Sequence, residues 1–230
     1  MKRLTKQQIQ DLYAFTIKHF VEHYDLQTEL VDHLANDIES IWQENPKLSF
    51  EEARDQSFKK FGVFGFMDVV EQRQKAMNKR YYKYLLSELK QWFSIPKIII
   101  TATLFVTFFT LLQTSYAKYF FFIIFGVLAI WTLFRSIQLN REFRKRKEIS
   151  SKKWLLEELI FKQAGSIGII FLSQFYNISM WSDVFISNTK LVLLTAAIFT
   201  LLYLVNYISF RVIPNKAEDL LNTTYPEYSL

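Results

Sequence analysis

RSIQLNREFRKRKEISSKKWLLEELIFK, residues 135–162, carries nine Lys/Arg against four acids, Glu142, Glu148, Glu157 and Glu158. Two long uncharged runs lie on each side of it: 98–117 and 119–134 before, 163–182 and 191–210 after. Three of these runs are 20 residues long, the length an α-helix needs to cross a hydrocarbon core about 30 Å thick. The 119–134 run has 16 residues, and the stems of Lys118 and Arg135 extend its reach toward the interfaces. No soluble core calls for four such runs in succession. The sequence therefore predicts an all-α integral membrane protein with four transmembrane helices, at about 98–115, 119–137, 160–178 and 190–210.

Basic residues in short loops stay on the cytoplasmic side of a bilayer. The loop 135–162 has a net charge of +5 and the flank 73–97 holds seven basic residues against Glu88, whereas 113–118 and 180–190 hold only Lys118, Asp183 and Lys190. This asymmetry predicts both termini in the cytoplasm. The overall charge of +6 is not a nucleic-acid signature, because residues 1–72 are net acidic and the positive charge lies beside the apolar runs. Arg141, Arg144, Lys145, Arg146, Lys147, Lys152 and Lys153 are the expected contacts to anionic lipid head groups or to a protein partner. Trp92, Trp131, Trp154 and Trp181 fall near span ends, as interfacial tryptophans do.

Before the first run lies a small N-terminal cytosolic helical domain (about 1–75), followed by a basic juxtamembrane helix (76–97); residues 211–230 form a cytoplasmic tail. Thr5 with Gln8 fits a capping box, and Ile9, Leu12, Tyr13, Phe20 and Tyr24 recur at helical spacing. Asp25 is placed to cap a second helix, whose stripe is Leu26, Leu30, Leu34, Ile38 and Ile41. Asn45-Pro46 ends it. Ser49 with Glu52 opens a third helix that closes at Gly62, and a fourth runs from about Phe66 to Trp92. The N-terminus has no apolar core or cleavage site of a secretory signal, so the run at Ile98 is expected to direct insertion.

Four segments in order, Glu29-Leu30-Val31-Asp32-His33-Leu34, Leu48-Ser49-Phe50-Glu51-Glu52-Ala53-Arg54, Phe58-Lys59-Lys60-Phe61-Gly62 and Val70-Glu71-Gln72-Arg73, resemble the permease-prefix or HAAS-type helical domain over about residues 25–75. The resemblance implies a cytosolic module attached to bacterial membrane proteins, among them permeases and signalling proteins, with no enzymatic activity of its own. The chain departs from the permease members in having only short external loops where they carry a large extracytoplasmic domain. Abundant Lys, Ile, Phe and Asn with little Gly and Pro fits an AT-rich bacterial genome, and so a bacterial cytoplasmic membrane.

Chemistry-bearing motifs are scarce. Cysteine is absent, and no phosphate-binding glycine loop, nucleophile elbow or kinase signature occurs. His19-Phe20-Val21-Glu22-His23 spells the inverted zinc-peptidase pattern, with His33 or Glu29 as the third ligand on offer, but the domain is small and the motif is read as a solvated helix face. His33 reads as a packing or capping residue, and Asp32, Asp37 and Glu39 as a solvated acidic face. Within the runs, Thr103, Thr107, Gln174, Asn177 and Asn206 are the expected polar contacts between helices. The sequence thus predicts a non-enzymatic accessory, regulatory or adaptor subunit without cofactor or metal, with a protein partner and the option of self-association. The alternative is a component of a small-molecule transporter or channel, suggested by the threonines of the first run.

Overall fold

The computed structural model describes residues 2–150, 152–162, 173, 180 and 182–229. They are all-helical, with no strand among them. The chain divides into two compact units, Met1–Lys79 with Ser150–Leu155, and Arg80–Ile149 with Leu156–Leu230.

In the first unit, α1 (Lys6–Lys18) opens on a reciprocal cap in which Thr5 Oγ1 accepts from Gln8 N–H and the Thr5 N–H donates to Gln8 Oε1 at 2.9 Å. The helix does not run on to Tyr24 as the spacing predicts. Phe20 adopts φ +65°, its N–H donates to Ile17 O, and Val21 N–H donates to Thr16 O. These two bonds form a Schellman cap, a motif that wants glycine at the left-handed position. α2 (Tyr24–Glu44) follows, with Leu26, Leu30, Leu34, Ile38 and Ile41 all buried. α3 (Phe50–Lys59) has its own reciprocal cap between Ser49 and Glu52, and hydrogen bonding to Ser49 holds the Glu52 carboxyl below its usual range. α4 (Met67–Gln91) begins in this unit and crosses the boundary after Lys79.

Asp25 is not the cap of α2; His23 holds that position, without a side-chain bond. Asp25 is buried in the first turn, and its Oδ1 accepts Leu155 N–H at 3.2 Å. The 152–155 segment is stapled to this point by further contacts. Tyr24 N–H donates to Lys153 O at 2.7 Å, Lys153 Nζ pairs with Glu22 at 2.5 Å, and Trp154 is buried with its ring edge against Tyr24.

The second unit contains α5 (Lys97–Leu112), α6 (Ala117–Ile149) and α7 (Thr189–Tyr207). α7 continues through a π-helical turn, Ile208–Val212, and a short turn, Ile213–Asn215; after these comes α8 (Ala217–Thr224). Phe108, Leu112, Phe121, Phe125, Leu128, Val192, Ala196 and Phe199 form the core between α5, α6 and α7. α5 stops at Leu112, so at 16 residues it is about 24 Å long. Just past its end Thr114 Oγ1 donates to Leu111 O at 2.8 Å.

α6, with 33 residues, and the continuous helix Thr189–Asn215, with 27, are long and apolar enough to cross a membrane. Only 33% and 44% of their most apolar windows is buried, far less than a helix in a soluble core would hide. The proposed span at 160–178 lies for the most part outside the described residues.

Candidate functional site

α6 carries its helical geometry from the apolar run straight through the basic stretch, so a rotation of 100° per residue sorts the cations. Leu139 and Phe143 are buried on one face. Arg141, Arg144 and Lys145 lie on the opposite face, exposed and without a partner among the described residues; Lys147 is exposed to one side.

Arg146 turns inward. Its guanidinium lies 3.5 Å from Glu142, 3.5 Å from Glu218 and 4.0 Å from Glu157, and sits 5.0 Å from the centre of the Phe161 ring. Burial pushes the Glu157 carboxyl above its usual value, and the charge of Arg146 opposes that shift. The Tyr228 hydroxyl bonds to both Glu157 and Arg146, and its phenol is raised by burial and by the adjacent carboxylate. Tyr225 accepts Leu156 N–H on its hydroxyl at 3.2 Å. Within the second unit this network joins residues 217–228 to the end of α6, and it holds the half-buried Arg146 against acids of its own chain.

Lys153 is likewise committed to Glu22, and Lys152 lies 4.5 Å over the Tyr24 ring. Of the seven expected contact cations, Arg141, Arg144, Lys145, Lys147 and Lys152 are exposed.

The polar residues of the apolar helices also divide. Asn206 is buried in α7 and its Oδ1 accepts from Thr132 of α6 at 2.6 Å. Thr103 and Thr107 are exposed and donate to Ile99 O and Thr103 O of their own helix, both at 2.8 Å, and have no bond to another helix among the described residues. Gln174 and Asn177 lie outside the described residues. Beside Asn206 an apolar cavity of about 390 Å³ opens between Phe108, Val127, Trp131 and Tyr203.

The His19–His23 motif is split by the left-handed turn at Phe20, so the two rings do not share one helical face. His19 closes α1, its Nδ1 lies 2.8 Å from Phe15 O, and its ring packs against Phe15 and Phe58. His23 is buried at the start of α2. No group of three or more potential metal ligands occurs among the described residues. The acidic face is partly structural: Asp37 accepts from Ser57 at 3.1 Å and pairs with Lys60 at 3.0 Å, and Glu39 accepts Leu4 N–H. His33 is exposed, on a groove with Glu29, Asp37 and Lys60.

Sequence reading missed a second surface on the first unit. Phe15, His19, Phe58, Phe61 and Phe66 form one aromatic cluster, with ring centres 4.1–6.4 Å apart along its contacts. Gly62 at φ +77° and Gly65 at φ +55° bend the chain between Phe61 and Phe66. A Cβ on Gly65 would lie 2.8 Å from the Phe58 ring. The bend turns Val63 and Phe64 outward, 98% and 71% exposed. Phe20 follows His19 and is 81% exposed. The signal was present in the sequence as two glycines bracketing a Val-Phe pair among aromatics.

This chain matches no known protein-family model, no curated protein and no solved structure.

Proposed function

We propose that the chain is a non-enzymatic, four-span protein of the bacterial cytoplasmic membrane, an accessory or adaptor subunit with both termini in the cytoplasm. Its N-terminal helical domain and the basic end of α6 are its contact surfaces for a partner. The observation that carries this reading is α6 itself. Along one unbroken helix, Ile123, Val127, Ile130 and Phe134 stand exposed, and a few turns later Arg141, Arg144 and Lys145 do. Exposed apolar side chains on this scale suit hydrocarbon rather than water. The cationic turns that follow suit the anionic cytoplasmic leaflet.

The resemblance of residues 25–75 to the HAAS-type module supports the adaptor role. So does the construction of that part of the chain, with the reciprocal Ser49–Glu52 cap and the buried Asp25 staple. The test is amine cross-linking in intact membranes, followed by mass spectrometry of whatever copurifies with a tagged chain. A stoichiometric partner joined through Lys59, Lys145 or Lys147 is the expected result. Cross-links confined to copies of this chain would refute the adaptor role.

A further inference from the structure

We propose that the tip formed by Phe20, Val63 and Phe64 enters the interface of an anionic lipid bilayer, giving the first unit a membrane contact of its own. This rests on the reading of the chain as a membrane protein. The ring of His19 meets Phe58 and Phe66 at 4.5 and 5.9 Å, which brings the turn at Phe20 and the bend at 62–65 to the same aromatic cluster.

Neither turn needs a large apolar side chain for folding. Phe20 occupies a left-handed backbone position that favours glycine, and its exposed ring contributes little packing in return. A strained residue held with its side chain in solvent points to selection for what that side chain touches outside the molecule. Val63 and Phe64 are presented in the same way, on a bend locked by Gly65 against Phe58 and by Phe61 and Phe66 in the cluster. Met67, next along the chain, is exposed too.

The flanking charge selects the occupant. Lys18 and Lys59 are exposed beside the two turns and have no partner among the described residues. Of the acids near the two turns, Glu22 is paired with Lys153 and Asp55 with Arg54, and Asp68 sits in the first turn of α4, where the helix N-terminus neutralises part of its charge. Exposed apolar side chains flanked by lysine stems fit the boundary between anionic head groups and acyl chains.

The chain contains no cysteine, so single cysteines report one position each. Val63→Cys, Ile130→Cys and Asp32→Cys are labelled with an environment-sensitive fluorophore in the full chain, held in nanodiscs of mixed anionic and zwitterionic lipid. The Val63 label is expected to shift to the blue and to lose intensity when lipids spin-labelled near the head group are included. The Asp32 label is expected to stay water-like, and the Ile130 label to be quenched by deep spin labels.

A Val63 label that stays water-like while the Ile130 label is quenched overturns the proposal and leaves the membrane reading standing. If neither is quenched, both fall. A blue shift at Val63 without lipid quenching assigns the tip to a protein surface and also overturns the proposal. Equal quenching in purely zwitterionic discs would overturn the part given to Lys18 and Lys59.

Discussion

Replacing Phe20 by glycine and, separately, by alanine divides backbone strain from side-chain packing at the end of α1. Both changes remove the same exposed ring, so they lose the same small contact area. Alanine keeps the left-handed strain at φ +65°, a cost of about 1–2 kcal/mol for an L-residue. Glycine relieves it but adds about 0.4–1 kcal/mol of chain entropy to the unfolded state. The difference leaves Phe20→Gly more stable than Phe20→Ala by about 1 kcal/mol, or about fivefold in a local opening equilibrium. Hydrogen exchange of α1 amides in the full chain reads that opening directly. The glycine variant should exchange about fivefold more slowly than the alanine variant. Equal exchange in the two variants would mean that no strain is stored at this turn. Losses of about 3–5 kcal/mol in both would mean that the ring is packed as a core residue is.

Gly65→Ala combines a left-handed penalty with a clash against Phe58, and should cost about 2–4 kcal/mol of first-unit stability, measured by the same exchange experiment. Asp25→Ala leaves the buried Leu155 N–H without its acceptor, a cost of about 1–3 kcal/mol, and trypsin should cut earlier after Lys152 and Lys153. Burial raises the Glu157 carboxyl above 4.5, so between that value and the raised one the folded state holds the proton more tightly than the unfolded state does. This contribution to stability is therefore complete below about pH 4.5 and is lost as pH rises through the folded value. Glu157→Gln should remove that slope from the pH dependence of second-unit unfolding. Tyr81 is buried, its phenol is pushed up to about 12, and its hydroxyl faces Ser209 without a completed hydrogen bond. Tyr81→Phe should therefore change stability by less than about 1 kcal/mol, as followed by thermal unfolding.

Local signals in the sequence were enough to place what depends on neighbours a few residues apart. The Thr5–Gln8 and Ser49–Glu52 caps and the buried stripe of α2 are all found where the residue spacing puts them. The end of α1 was not legible, because apolar periodicity runs on past Lys18 and phenylalanine is a poor marker of a left-handed turn. Asp25 looks like a cap in sequence because cap preference is local, whereas its acceptor role depends on Leu155, 130 residues away. The same applies to the basic stretch: composition groups seven cations, and only the fold shows Arg146 and Lys153 drawn to Glu157 and Glu22 and Lys152 lying over Tyr24. Thr103 and Thr107 read as helix-joining residues in sequence; that they are exposed on α5 with their hydroxyls donating to their own backbone is visible only in the fold.

The most direct test of the membrane arrangement uses Lys118→Cys and Lys145→Cys in the cysteine-free chain, treated in intact bacterial cells with a membrane-impermeant maleimide. Position 118 should be labelled from outside, and position 145 only after the cells are broken. Labelling of both in intact cells, or of 145 alone, would contradict the placement of the basic end of α6 in the cytoplasm and the four-span arrangement built on it.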